Sequence, residues 1–244
     1  MKALLQAELL KLRTTRTFIA LVGSAVALSL VLLVLNTLLT DEFDEQSVRF
    51  TFAGDFTGLF ILLLGAMGMA GEWRHRTITS TVLAAPDRLK LLVAKTLSYA
   101  VAGIVVSFVV TAMLMLVGTI ILSSRGLTTL PFSDLLDIMW RNLVVSAYLG
   151  AFGVCIGAIV RNQVVAIVGL LLYSFAVEFT LFGLAPDVAK YMPINGAPSG
   201  VVNVSFDGGE ADFLEPGVAV LVMFGWVTVL FAAGALLLRR RDLN

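Results

Sequence analysis

Charge is what this sequence has least of. Only 14% of its 244 residues are Asp, Glu, Lys or Arg, against about 25% in soluble domains, which is too little to solvate a globular surface. One cysteine, Cys155, excludes an internal disulfide and a cysteine-based zinc site. One histidine, His75, stands between Arg74 and Arg76 with no second His or Cys beside it, a poor basis for a metal centre or a nucleophile–base pair. No GxxxxGK[ST] motif occurs, so nothing here would cradle ATP phosphates on backbone amides. A soluble enzyme and a secreted disulfide scaffold are excluded by these shortages. A disordered chain is excluded by a hydrophobic content of 59% and a mean hydropathy of +0.96.

What is present is a series of apolar runs, each long enough to cross a hydrocarbon layer roughly 30 Å thick. Six spans are expected, at residues 17–39, 52–71, 97–122, 142–160, 164–184 and 217–238. An even number places both termini on one side. Of the 17 basic residues, all but Arg49, Arg125, Arg141 and Lys190 fall on that side, which the positive-inside rule makes cytoplasmic. The acids run the other way, with only Glu8, Glu72, Asp87 and Asp242 beside the termini and Glu178 inside a span. The basic start followed by Ala25-Val26-Ala27 superficially matches a cleaved signal peptide, but the apolar run continues through Leu35 and reads as an uncleaved first span. The fold class expected is an all-α polytopic membrane protein, a single transmembrane domain over residues 1–244.

Three connections carry the organisation. Residues 1–16 set Leu5, Leu9 and Leu12 on one helical stripe flanked by cations, which suits an amphipathic helix lying in the headgroup layer of the lipid bilayer. Residues 185–216 hold four of the six prolines and are expected to form short broken or re-entrant helices at the outer mouth. Residues 72–95 form the one cytoplasmic loop of useful size, where cytoplasmic partners must be met. In it Pro86 closes a helix-compatible stretch and Asp87 can cap the helix that follows. The acidic turn around Asp41, Glu42, Asp44 and Glu45 lacks the alternating oxygens and glycine hinge of a calcium loop.

The 72–95 loop also carries a resemblance. Glu72, Arg74, Arg76, Thr77-Ile78-Thr79, the Leu83-to-Arg88 run LAAPDR and Ala94-Lys95 resemble the loop after the second span of bacterial ABC-2 type permeases. The opening MKALLQAELLKLRTTRT, Tyr191-Met192-Pro193 and the closing Arg239-Arg240-Arg241-Asp242 are similar to that family in the same order. The resemblance implies the membrane half of an ATP-driven exporter in the bacterial cytoplasmic membrane. It further implies that Glu72, Arg74, Arg76, Thr77, Ile78, Val82, Leu83, Pro86 and Arg88 couple the chain to a separate ATPase. On that reading the permease is not itself an enzyme. ATP and Mg bind the partner ATPase, the chain holds no cofactor, and a second copy or a sister permease completes the pathway. No nucleic-acid partner is expected.

Within the spans, Ser146, Gly150, Gly153 and Gly157 set small residues near one face of the fourth, and Gly65, Gly68 and Gly71 do so in the second. Close packing within the chain and pairing with another copy explain them equally. Glu178 is read as the one acid deep in a span, costing on the order of 2.5–3.5 kcal/mol on insertion scales. Two expectations compete for it. It meets a cationic substrate beside Phe175, Phe179 and Phe182, or it forms a buried pair with Arg141 or Arg125 or caps the outer helices. Among whole-protein alternatives, a secondary transporter more often carries several intramembrane ionisable groups, and a membrane anchor of a signalling or immunity complex shares the topology but needs no pathway.

Overall fold

A computed structural model describes residues 2–39, 45–74, 77, 87–127, 129–203 and 213–240, and the regular structure among them is helical. Helix α1 is Lys2–Thr14, followed by α2 (Arg16–Leu39), α3 (Glu45–Ala53), α4 (Thr57–Arg74), α5 (Arg88–Ser124) and α6 (Phe132–Ile159). Then come α7 (Gln163–Leu172), a π-helical turn (Tyr173–Glu178), α8 (Phe179–Leu184), α9 (Pro186–Ala189), α10 (Gly196–Val202) and α11 (Pro216–Arg240). Among the described residues six stretches are long and apolar enough to cross a membrane: Arg16–Leu39, Ser47–Arg74, Arg88–Ser124, Phe132–Ile159, Gln163–Leu184 and Pro216–Arg239. The six expected spans are therefore present, with instructive differences at their ends and interruptions.

Helix α5 begins at Arg88 rather than at residue 97, because the Asp87 carboxylate accepts from the Leu89 and Lys90 amides and satisfies the first turn. The bonds from Lys90 hold the Asp87 carboxyl below the usual aspartate value. At 37 residues and about 1.5 Å per residue, α5 is roughly 55 Å long, so it projects well beyond the hydrocarbon. Helix α6 likewise starts at Phe132, ahead of residue 142, with Pro131 before it and Asp134 in its positive first turn. The second span is broken at Gly54–Phe56 between α3 and α4. The fifth contains the π turn, which inserts an extra residue into the helical register.

Helix α6 is the centre of the bundle. Its apolar window is 67% buried, whereas that of α11 is 11% buried and faces outward. Glycines explain how α6 gets there. A Cβ on Gly153 would lie 2.1 Å from Leu62 O, one on Gly65 would lie 2.6 Å from Gly150 O, and one on Gly157 would lie 2.6 Å from Ala66 O. On the neighbouring face, a Cβ on Gly150 would lie 2.5 Å from Tyr99 O and one on Gly103 would lie 2.4 Å from Ser146 O. Backbones of α4, α5 and α6 thus touch directly, the contact that small residues permit between membrane helices. Of the two explanations for Gly150, Gly153 and Gly157, the structure takes packing within the chain. All three are buried against α4 and α5 and are not presented to another copy.

Two apolar clusters flank this seam. One joins Leu12, Leu33, Phe52, Val110 and Leu114. The other joins Leu62, Leu149 and Phe152 to Ile194, Ala197 and Val201 of the 185–216 segment. That segment forms short helices as expected, and it enters the protein. Tyr148 donates its hydroxyl to Pro193 O at 2.9 Å, and Trp226 Nε1 donates to Tyr191 O at 2.9 Å.

Candidate functional site

Four charged side chains from three elements meet at the end of the bundle where α1, the end of α4 and the start of α5 converge. Lys95, on α5, has no exposed surface, and its Nζ lies 2.7 Å from Glu8 Oε2 and 2.9 Å from Glu72 Oε1. Lys11 Nζ closes the arrangement, 2.7 Å from Glu72 Oε1 and 3.4 Å from Glu8 Oε1. Two cations and two anions sum to zero, which is what allows such charges to leave water together. Burial pulls the Lys11 ammonium towards neutrality, but the hydrogen bond and charge of Glu72, with the charge of Glu8, outweigh it and leave its pKa above the ordinary lysine value.

The arrangement bears on two expectations. Helix α1 forms, and on its leucine stripe Leu12 is buried beside Glu8, Leu5 is half-buried and Leu9 is exposed. Glu72, expected to orient a docking partner, instead turns its carboxylate inward to Lys11 and Lys95. Arg88 is also held within the chain, donating to Leu238 O at 2.6 Å and so tying the start of α5 to α11. Arg74 is exposed, with Nη1 at 3.4 Å from Gln163 Oε1, and Thr77 is exposed too. Arg76, Ile78, Val82, Leu83 and Pro86 lie outside the described residues. In the sequence Lys95 figures only in the resemblance and the basic count, and Glu8 only among the acids beside the termini; neither of these readings points to a buried junction. The signal for more was a lone lysine running straight into the apolar stretch after Ala94, and a lone acid on the leucine face of α1.

At the opposite end the second acid within a span is Asp55, which lies in the break between α3 and α4. Its Oδ2 accepts from Ser107 Oγ at 2.6 Å and Thr111 Oγ1 at 3.0 Å, and its Oδ1 accepts from the Thr57 amide at 2.8 Å. Asn142 Nδ2 extends the network to Thr111 at 3.3 Å. Gly54-Asp55 inside an apolar run was the missed signal, since both residues favour leaving a helix and capping the next one.

Glu178 is wholly buried, at the end of the π turn. Its two carboxylate oxygens accept from the amides of Ile194 (2.9 Å) and Asn195, and the Asn195 side chain returns to Ser174 O and Oγ. The carboxylate therefore fastens the 185–216 segment to the fifth span, the capping alternative for this residue. Neither expected cation reaches it. Arg141 pairs with Asp137 at 2.8 Å and donates to Val201 O at 2.7 Å, while Arg125 donates to Thr37 O. Phe175 and Phe179 stack on each other, with centroids 6.1 Å apart, and are about half exposed; Phe182 is half-buried. Charge and open aromatic surface are thus not brought together.

Six helices among the described residues, each long and apolar enough to cross a membrane, define a multi-pass α-helical membrane protein. A protein-family model described as a protein of unknown function, DUF2705, matches residues 33–244, and the chain belongs to that family. No curated protein matches it.

Proposed function

We propose that this chain is the membrane-spanning permease subunit of an ATP-driven exporter of the ABC-2 type, with its termini in the cytoplasm. The observation that carries the reading is the charged junction. Its members Glu72 and Lys95 sit at the two ends of the 72–95 loop and bond to each other at 2.9 Å, and the same two charges bind α1. A partner that displaces the loop therefore moves α1, α4 and α5 together, which is the mechanical property a transmission point requires. The basic excess on the terminal side supports a cytoplasmic location for that point. The absence of a phosphate-binding motif from the sequence supports a separate ATPase that binds ATP and Mg.

In this scheme, nucleotide binding draws two ATPase subunits together and each passes the movement to a permease through the 76–88 stretch. Val82 and Leu83 supply apolar contact, and exposed Arg74 supplies orientation. A second permease copy or a sister chain forms the other half of the pathway. Replacing Val82 and Leu83 by Asp is expected to abolish copurification of the ATPase without reducing the amount of chain in the membrane. Unchanged copurification and unchanged ATP-driven transport would overturn the proposal. An ATPase that copurifies but drives no movement of any compound would favour a membrane anchor instead.

A further inference from the structure

A cavity of about 620 Å³ lies between α2, the break in the second span and the 185–216 segment. Its size is that of sites which take drug-sized ligands. Its wall is mostly apolar. Leu32, Leu35 and Leu39 project from α2, and Phe50, Phe56 and Val202 close the other sides. Leu32, Leu35 and Leu39 are 37%, 46% and 78% exposed, so the cavity is open along α2 rather than sealed. Since α2 is a peripheral span, with only 17% of its apolar window buried, that opening is lateral and faces hydrocarbon in a membrane.

The polar lining is sparse and uncharged. Asn36, Thr51, Asn195 and Ser199 contribute amides and hydroxyls, and none of the described residues lining the cavity is ionisable. Asn36 stands one turn of α2 beyond Leu32, about 6 Å closer to the end of the bundle away from the termini.

The walls are pinned before any ligand arrives. Phe56 donates its amide to Ser29 Oγ at 3.1 Å, drawing the break against α2. The adjacent Asp55 carboxylate faces away from the cavity into Ser107 and Thr111, and Asn195 is held by Glu178 and Ser174. Both acids near the site are therefore engaged elsewhere. They shape the wall and leave its surface neutral.

We propose that this cavity binds a neutral amphipathic molecule, an extended apolar chain with a small hydroxyl or amide head, entering sideways from the bilayer. On the exporter reading proposed above, that molecule is the transported species. A cationic substrate meeting Glu178 is replaced by a neutral one meeting Asn36, Thr51 and Ser199.

Photolabelling of the full-length chain in phosphatidylcholine nanodiscs tests this without any ATPase. Three probes share one diazirine-bearing alkyl chain and differ in the head: a monoacylglycerol, an acylcholine and an alkylsulfonate. The monoacylglycerol is expected to label residues 32–56 and 194–202. The charged probes are expected to label them roughly 100-fold less, the discrimination that burial of an unpaired charge implies. Unlabelled monoacylglycerol should compete. Leu35→Trp and Ser199→Trp fill the space and should reduce labelling to background, while Val229→Trp on the exposed face of α11 should not.

Uniform labelling of all outward helix faces would overturn the proposal, as would equal labelling by the charged probes or a failure of unlabelled competitor in the unsubstituted chain. Labelling that survives both Trp variants at unchanged melting temperature would do the same. So would efficient disulfide linkage of two copies through Leu35→Cys, which would make the cavity an interface. Site-specific labelling in a chain that binds no ATPase would uphold the cavity and remove the exporter. ATP-driven transport with no site-specific labelling would do the reverse.

Discussion

Lys95→Met is the sharpest test of the charged junction. The substitution nearly preserves length and apolar volume but removes the buried cation that lies within 3 Å of both carboxylates, at 2.7 and 2.9 Å. A bare Coulomb figure at an effective dielectric of 20 is roughly 6 kcal/mol for each pair at such distances. Desolvation of the three groups offsets much of it, and breaking a buried pair by removing one partner typically costs about 3–5 kcal/mol net. The low end is expected here, because Lys11 remains 2.7 Å from Glu72 and can neutralise one of the two acids. Unfolding of the purified chain by SDS in mixed micelles, followed by helicity, measures the change. Adding Glu8→Gln to Lys95→Met leaves one acid for one lysine and should recover roughly half of the loss. A single-mutant loss below about 1 kcal/mol, the size of a surface pair, would refute the argument. So would a double mutant weaker than the single.

Other consequences follow from the same structure. Because the Lys11 pKa lies above 10.5, its share of the junction is complete at any pH below that value and is lost only as pH rises through the higher folded value; SDS unfolding midpoints should therefore show no loss of this contribution across the neutral range. Gly153→Val should prevent stable folding or lower stability by about 1–3 kcal/mol or more, since its Cβ would lie 2.1 Å from Leu62 O, whereas Gly169→Ala, with nothing within 4 Å, should be tolerated; equal melting temperatures would contradict the seam. Glu178→Gln weakens bonds to the Ile194 and Asn195 amides and should cost about 1.5–3 kcal/mol with transport per surviving molecule unchanged for every compound; selective loss of cationic cargo would restore a pathway role. In a Cys155→Ser background, Asp187→Cys should react with an impermeant thiol reagent applied to intact cells and Arg13→Cys should not; the opposite pattern would reverse the orientation.

The helices were legible in the sequence because each apolar run is its own signal: a span needs length and the near-absence of charge, and neither depends on what the span packs against. The caps were legible for a similar reason, as with Asp87 ahead of α5. Pairings were not. Glu8 and Lys95 lie 87 residues apart, and sequence alone can say that each is charged but not that they meet. Asp55 escaped because an acid close to the end of a run reads as belonging to the adjoining loop, although its hydrogen bonds draw it into the bundle. Glu178 was singled out correctly as costly to bury. What compensates it is a pair of backbone amides, and backbone donors leave no trace in residue type. The glycine seam was visible, but whether small residues receive the same chain or another one is decided only by the bundle's arrangement.

The separation of Glu8 from Lys95 also sets an order of events during synthesis. Glu8 leaves the ribosome early, while Glu72, Lys95 and the intervening spans are still to be made. Until the start of α5 is in place, α1 has only Lys11 to answer its acid, and that lysine sits on the same short helix. The N-terminal helix therefore cannot dock as the first element of the chain. Its bonds to Glu72 and Lys95 need the second and third spans in place, so closing them completes the first half of the bundle.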